Sequence, residues 1–130
     1  MGVKKLKDIL DYRVKVLVNH NHGLRTYSLV DPSSDRRIGM FTIDIEYDDN
    51  GDEEFESGHL QTLSLSEEYR GMGISKLVFR ILLKEAEKTG YESVYLSVLV
   101  DNTPAVKLYK SLGFDVVNKN EKYYTMSLDI

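Results

Sequence analysis

The sequence has 130 residues and contains no cysteine, no tryptophan and only two prolines. Without cysteine it forms no disulfide bond, no cysteine-ligated zinc site and no cysteinyl covalent intermediate. No apolar run approaches the roughly 20 residues that a membrane-spanning helix needs, and residues 1–7 lack the apolar core of a secretion signal. The net charge of −4 offers no basic excess for nucleic-acid binding. We therefore expect a soluble cytoplasmic protein that binds neither nucleic acid nor a membrane.

One acidic segment, residues 48–56, stands out from an otherwise even composition. Its six acidic residues outnumber the net negative charge of the whole chain, so the remainder is net positive. The chain has no internal repeat and no proline- or serine-rich linker, and its length suits one domain. We predict a single domain over residues 1–130, in which the acidic segment is either a solvated connection between strands or an attractor of cationic partners.

The spacing of apolar residues predicts an α+β fold. Alternation with period two, turn residues between segments and one apolar run at 94–100 predict strands at 14–18, 24–30, 38–47, 58–65, 94–100, 114–117 and 123–128. Apolar residues three and four positions apart predict helices at 4–12, 74–89 and 103–112. The near-continuous apolar run at 94–100 is typical of a strand buried on both faces. A meander followed by helix, strand, helix and hairpin predicts one mostly antiparallel sheet.

Alternation also predicts which side chains share a face. In strand 38–47 it places four apolar side chains together: Phe41, Ile43, Ile45 and Tyr47. In strand 58–65 it groups one polar pair with one apolar pair: His59, Gln61, Leu63 and Leu65.

Two glycines, Gly71 and Gly73, lie directly before helix 74–89. A turn of this kind exposes backbone N–H groups, and the first turn of the helix adds partial positive charge, so together they form a cradle for phosphate or pyrophosphate. The order Ser75-Lys76 does not fit a P-loop, and an antiparallel meander does not fit a dinucleotide-binding unit. From the glycines alone, a plain strand-to-helix turn remains an equal alternative.

Two segments together resemble the GNAT superfamily of acetyl-CoA-dependent N-acetyltransferases. Arg70-x-x-Gly73-x-Ser75 is similar to the family's Arg/Gln-x-x-Gly-x-Gly/Ala loop, with serine at a position where the family prefers Gly or Ala. Residues 100–114 are similar to its V-x-N-x-x-A-x-x-L-Y-x-x-x-G-F segment. The resemblance covers about residues 38–130 and implies a GNAT-type fold, a mostly antiparallel central sheet flanked by helices, with acetyl-CoA as cosubstrate.

The resemblance also implies a role for individual residues. The backbone of Leu63, Ser64 and Leu65 would pair with the pantetheine arm. The residues that would wrap the pyrophosphate are Arg70, Gly71, Met72, Gly73, Ile74, Ser75 and Lys76. Asn102 would hydrogen-bond the cofactor, and Tyr109 would protonate the departing thiolate. On spacing alone, Asn102 also fits a helix cap and Tyr109 also fits a core aromatic.

His59 is the candidate general base for the acceptor amine. It begins strand 58–65, where the family often carries Glu or His, and a histidine can accept a proton at neutral pH. The alternative is a partly exposed histidine at a strand end. Acetyltransferases that modify the N-terminal amines of ribosomal proteins tend to carry Glu at the position of Ser97. The serine weakens an assignment of this chain to that type of enzyme.

The sequence therefore predicts direct transfer of an acetyl group to a primary amine, either on a protein or peptide or on a small cationic molecule. The family usually places two helices between its first two strands, whereas Val18 and Leu24 are separated by about one turn. We expect a shortened N-terminal helical region: either residues 4–12 replace those helices, or the acceptor side is open, which would favour a larger acceptor such as a protein amine. The chain would act as a monomer or homodimer.

Two other functions remain compatible with the sequence: a catalytically silent CoA-binding module, and a scaffold whose acidic segment docks basic proteins. We expect no metal. An EF-hand loop starting at Asp48 would need glycine and glutamate where Glu53 and His59 stand, and His20 and His22 lie in a turn without a third ligand.

Overall fold

The structure is a computed structural model that describes residues 14–70 and 74–130. The strands in this part of the chain are β1 Lys15–Asn21, β2 Leu24–Asp31, β3 Arg36–Asp44, β4 Gly58–Leu65, β5 Ser93–Leu99, β6 Asp115–Lys119 and β7 Tyr123–Asp129. The helices are α1, Ser75–Thr89, and α2, Thr103–Ser111, with a 3-10 turn at Glu67–Tyr69. The helix predicted at 4–12 lies outside the described residues. No helix in the described part is long and apolar enough to cross a membrane.

The strands form one sheet in the order β1-β2-β3-β4-β5-β7-β6. Neighbouring strands are antiparallel except β4 and β5, which run parallel and are connected through α1. Parallel neighbours need a crossover of this kind. Of the antiparallel pairs, β1–β2, β2–β3 and β6–β7 are joined by short turns, β3–β4 by residues 45–57, and β5–β7 through α2 and β6. The sheet and its two helices confirm the predicted α+β fold with a mostly antiparallel sheet.

A two-residue turn joins β1 to β2. Its residues, His22 and Gly23, both have positive φ, 51° and 75°. A hairpin turn of this kind matches the right-handed twist of the strands that it connects. The prediction that a single turn separates the first two strands is confirmed.

The core lies between α1 and one face of the sheet. The predicted helical spacing is confirmed, because Val78, Leu82 and Ala86 are buried. A Cβ atom on Gly39 of β3 would lie 2.7 Å from Val78 Cγ1, so only glycine allows this close approach of helix to strand. The Tyr27 hydroxyl of β2 donates to Thr89 Oγ1 at 2.6 Å and links the sheet to the end of the same helix.

Two predictions about the strands are wrong. β3 ends at Asp44, and Tyr47 is 61% exposed, because it pairs with Glu53 in a bridge that turns the chain away from the sheet. The strand at 94–100 is buried on one face only: Val94 and its alternating partners are buried, whereas Leu99 is 49% exposed. In the described residues α1 packs on a single face of the sheet, so the second face of β5 keeps its exposure.

Candidate active site

A cleft separates β4 from β5 over most of their length. The two parallel strands pair only at Gly58 with Val94 and at His59 with Tyr95. Beyond these pairs, residues 60–65 and 96–99 diverge without a pairing between them. The carboxyl ends of β4 and β5 lead to the N-termini of α1 and α2, so both helix starts border the open end of the cleft. Ligands commonly bind at this end of parallel strands.

The β4 edge of the cleft presents backbone hydrogen-bonding groups. The N–H of Ser66 donates to the carbonyl of Ile38 at 2.9 Å, toward β3. Because successive residues of a strand direct their backbone groups to opposite sides, the polar groups of Leu65 and Leu63 point toward the cleft, and those of Ser64 toward β3. The side chains of Leu63 and Leu65 pack against the core. This edge can accept an extended ligand in the manner of an added strand.

The end of the cleft next to α1 carries Arg70 and Lys76, with Glu67 and Glu68 in the preceding 3-10 turn. Arg70 Nε donates to the carbonyl of Leu65 at 3.0 Å, which holds the guanidinium at the end of β4. Residues 71–73, and with them the predicted roles of Gly71, Met72 and Gly73, lie outside the described residues. Ile74 is the N-cap of α1, and no side-chain cap or acidic residue of the described part occupies its first turn, where Ser75 and Lys76 lie. These N–H groups favour an anion.

Helix α2 carries the two predicted site residues beyond β5. Asn102 is its N-cap, with Oδ1 accepting from the Ala105 N–H at 3.4 Å. In the structure Asn102 therefore caps α2, and its contact with a cofactor stays a prediction. Tyr109 is half-buried, with its ring edge-on to Phe114 at a centroid distance of 5.8 Å. Burial raises the pKa of Tyr109, which keeps the phenol protonated as an acid requires.

A β-bulge in β4 overturns the predicted grouping of side chains. Thr62 pairs with Thr42 and Leu60 with Ile43, so Gln61 is an extra residue without a partner of its own. The extra residue reverses the alternation, which places Leu63 on the same face as Leu60, toward α1. His59 therefore lies on the opposite face from Leu63 and Leu65, and the prediction that they share one face is wrong.

On that opposite face, His59 forms a cluster that the sequence analysis missed. Its Nδ1 lies 2.7 Å from Asp44 Oδ2, which also accepts from Gln61 Nε2 at 2.9 Å. The imidazole stacks on Tyr95 with centroids 4.9 Å apart and 15° between the planes. Burial, followed by the carboxylates of Glu46 and Asp44, raises the pKa of Tyr95. Among the described residues, no hydrogen bond or ring contact joins this cluster to Tyr109.

A second missed cluster surrounds Arg25, which is only 2% exposed. Its guanidinium donates to both carboxylate oxygens of Glu53, at 3.0 and 2.7 Å, and to the Tyr91 hydroxyl at 2.6 Å. Its Nε donates to His20 Nε2 at 3.2 Å. Burial lowers the pKa of Arg25, but these hydrogen bonds and the Glu53 and Tyr91 charges outweigh it and raise the pKa overall. Glu53 thus ties the acidic segment to the sheet.

The acidic segment forms the connection between β3 and β4. Asp48 Oδ1 accepts from the N–H groups of Asn50 and Asp52, at 2.9 and 3.0 Å, and Gly51 turns the chain with a φ of 82°. The remaining carboxylates of the segment are exposed. The segment therefore joins the end of the strand that bears Asp44 to the start of the strand that bears His59.

Comparison with known proteins identifies related sequences over part of the chain. The probable N-acetyltransferase san of Drosophila melanogaster is 36% identical over 67 residues, which are 51% of this chain and 36% of that protein. An N-alpha-acetyltransferase of Sulfurisphaera tokodaii is 38% identical over 68 residues, 52% of this chain and 41% of that protein. The chain thus matches less than half the length of these relatives.

Solved structures share the fold. Mutant forms of the spermidine/spermine N-acetyltransferase SpeG from Vibrio cholerae superpose with a TM-score of 0.64 at 21% identity, over 85% of this chain and 69% of that chain. A GNAT family acetyltransferase from Elizabethkingia anophelis with acetyl-CoA bound has a TM-score of 0.68 at 10% identity, over 92% and 99% of the two chains. A model of the acetyltransferase (GNAT) family matches residues 5–114. Because that match covers most of the sequence, the chain belongs to the GNAT acetyltransferase family.

Proposed function

We propose that the chain is an N-acetyltransferase that transfers the acetyl group of acetyl-CoA directly to a primary amine. The observation that carries the proposal is the cleft between β4 and β5. It combines the cleft-facing backbone groups of Leu63 and Leu65, of which the Leu65 carbonyl already accepts from Arg70 Nε, with the N-terminus of α1, where no side chain of the described residues forms a cap. An extended amide-containing arm and a diphosphate would fit these two features in the order in which pantetheine and pyrophosphate follow one another in CoA.

The residues around the cleft fit this cosubstrate chemically. The backbone groups of Leu63 and Leu65 would pair with the amides of the arm, as a strand pairs with a sheet edge. The N–H groups at the start of α1, together with Arg70 and Lys76, would neutralise the diphosphate. Asn102 would add a side-chain hydrogen bond from the opposite helix. When bound, acetyl-CoA supplies an activated acetyl thioester.

Transfer needs a proton acceptor for the amine and a proton donor for the leaving sulfur. His59 Nε2 would take the proton as the amine nitrogen forms its bond to the acetyl carbon. Tyr109 would give its phenolic proton to the sulfur as the carbon–sulfur bond breaks, and solvent would restore both groups. The raised pKa of Tyr109 supports this role, because a protonated phenol is needed before transfer.

A cationic amine is the acceptor class that the charges favour. Asp44 and Glu46 lie at the end of β3 beside His59, and the exposed carboxylates of the acidic segment follow directly. A concentration of negative charge beside the base would raise the local concentration of cationic acceptors. The similarity in fold to a spermidine/spermine N-acetyltransferase is consistent with this class.

The direct test is release of free CoA from acetyl-CoA in the presence of a panel of amines. The panel contains polyamines, amino sugars, and basic and N-terminal peptides. We expect release that depends on one cationic class and a mass increase of one acetyl group on the acceptor. If calorimetry detects no binding of CoA, the proposal is wrong.

Tyr109→Phe separates an enzyme from a catalytically silent CoA-binding module. The variant keeps the ring contact with Phe114 and removes only the hydroxyl. Loss of a general acid costs on the order of 10²-fold or more in rate, so we expect kcat to fall by about that factor while the Kd for CoA stays unchanged. Tyr123→Phe, at an exposed tyrosine of β7, is the matched control and should retain wild-type kcat. An unchanged rate in Tyr109→Phe would favour the silent module.

A further inference from the structure

We propose that Asp44 is a positioning residue that holds His59 in the tautomer protonated at Nδ1, so that Nε2 is the atom that accepts the proton of the acceptor amine. The catalytic consequence rests on the proposed function. The tautomer itself does not, and it can be measured in the protein without any substrate.

The hydrogen-bond geometry determines where the ring proton lies. His59 Nδ1 is 2.7 Å from Asp44 Oδ2. An ionised carboxylate has only acceptor sites, so in the neutral imidazole the shared proton belongs to Nδ1 and the lone pair belongs to Nε2. The opposite tautomer would face the lone pair of Nδ1 with a carboxylate oxygen at hydrogen-bonding distance, which is repulsive.

Asp44 is itself held in place. Gln61 Nε2 donates to the same Oδ2 atom at 2.9 Å, so this oxygen accepts two hydrogen bonds. Gln61 is the extra residue of the β4 bulge, and the bulge leaves its side chain free to reach across to β3. Asp44 and His59 have side chains that are 27% and 29% exposed. Their hydrogen bond is therefore partly shielded from water, while part of the His59 side chain remains accessible to solvent.

A second contact fixes the plane of the imidazole. Tyr95 stacks on it at 4.9 Å with only 15° between the planes. The stack restrains the ring plane, and the Asp44 hydrogen bond restrains rotation within that plane. Because the two restraints are perpendicular, the direction of Nε2 is determined. Since His59 and Tyr95 form the last pair before β4 and β5 diverge, the base lies at the closed end of the cleft.

The first arm of the test is ¹⁵N NMR of the histidine rings in the unliganded wild-type protein, at a pH where His59 is neutral. The chain has three histidines, and a His59→Gln sample assigns the signals. We expect His59 to show a protonated Nδ1 and an unprotonated Nε2. A protonated Nε2 in the wild-type protein would overturn the proposal, whether or not the chain has transferase activity.

The second arm compares variants by NMR and kinetics. Asp44→Asn, which can offer either an oxygen or an N–H to the ring, should mix the tautomers. It should also lower kcat by about 10- to 100-fold, part of the 10²- to 10⁴-fold contribution of a positioned base, with the KM for acetyl-CoA unchanged. Asp44→Glu restores a carboxylate and should recover the Nδ1–H signal and part of kcat. Unchanged tautomer and kcat in Asp44→Asn would also overturn the proposal.

Two control variants separate the hydrogen bond from the local charge. Glu46→Gln removes a neighbouring carboxylate that has no hydrogen bond to His59, and it should leave the tautomer unchanged. Gln61→Ala removes the second donor to Asp44 and should produce a smaller loss of kcat than Asp44→Asn. Absence of transfer to any amine in the wild-type protein would refute the proposed function, whereas the NMR result would still decide the role of Asp44.

Discussion

At the scale of single residues, burial changes the chemistry of polar side chains more than their position in the sequence suggests. Tyr27 is fully buried, and its hydroxyl donates to Thr89 Oγ1. Burial raises the pKa of Tyr27 to about 12. The folded protein therefore keeps this proton at a pH at which the unfolded chain has lost it.

This difference predicts a loss of stability at alkaline pH. Below the unfolded pKa of about 10, the contribution of protonated Tyr27 to the free energy of unfolding is fully present. It is lost as the pH rises toward 12. For Tyr27 the shift corresponds to a decrease of about 2–3 kcal/mol in the free energy of unfolding. Urea unfolding of the wild-type protein and of Tyr27→Phe at pH 8–12 measures this decrease. The free energy of unfolding of the variant should fall less steeply with pH than that of the wild type.

Thr89→Ala is the matched control for Tyr27→Phe. Both variants lose the same hydrogen bond, worth about 1 kcal/mol at neutral pH, but only Tyr27→Phe also loses the titrating group. The difference between their alkaline slopes isolates Tyr27 from the other buried tyrosines. Equal slopes would show that Tyr27 does not keep its proton in the folded state.

The alternation of apolar residues predicts some of the buried side chains but not all of their contacts. Arg25 has the same parity as Tyr27 and Leu29 in the strand predicted at 24–30, which is a sequence signal for its burial. No such signal exists for the pairing of Asp44 with His59, because it depends on the bulge at Gln61. The extra residue shows only as the three-residue spacing between Leu60 and Leu63, and strict alternation does not interpret that spacing as a bulge.

At the scale of elements, helix α2 begins at a residue with two competing roles. Asn102 caps the helix through Oδ1, and the family resemblance also predicts a hydrogen bond from it to the cofactor. The end of α1, by contrast, is determined by one glycine. Gly90 has a φ of 119° and ends α1 as the sequence predicts, because glycine adopts this backbone conformation without a steric penalty.

Variants of Asn102 separate capping from cofactor binding. Asn102→Ser keeps an oxygen that can cap the helix but removes the amide group, whereas Asn102→Ala removes both. We expect Asn102→Ala to lower the free energy of unfolding by about 1 kcal/mol, with Asn102→Ser close to wild type. Both should weaken CoA binding several-fold in calorimetry. Wild-type affinity in Asn102→Ser would mean that capping is the only role of this residue.

At the scale of the whole molecule, acidic residues lie both in the connection between β3 and β4 and at the β6 edge of the sheet. The acidic segment joins β3 to β4 near the middle of the strand order, whereas β6 lies at one edge. Acidic residues are present in both places, so the effect of charge in the connection next to His59 can be compared with the effect of charge three strands away. Glu53 links the segment to Arg25 of β2, and Asp48 accepts hydrogen bonds from the segment's own backbone.

Salt should affect cationic and neutral acceptors differently. The screening length falls from about 10 Å at 0.1 M salt to about 3 Å at 1 M, so kcat/KM for a cationic amine should fall several-fold over this range. A neutral acceptor should change little. Asp49→Asn/Asp52→Asn should reduce the salt dependence, and the control pair Asp115→Asn/Glu121→Gln should not. Identical salt dependence in both double variants would argue against steering by the acidic segment.

The interaction between Arg25 and Glu53 also constrains protein engineering. Shortening the connection between β3 and β4 would remove the carboxylate that pairs with a guanidinium almost wholly excluded from solvent. An isolated buried cation is far more destabilising than an apolar side chain of similar volume. A designer who trims this connection must therefore replace Arg25 in the same step, for example with methionine, because the two sites are thermodynamically coupled although they are 28 residues apart in the sequence.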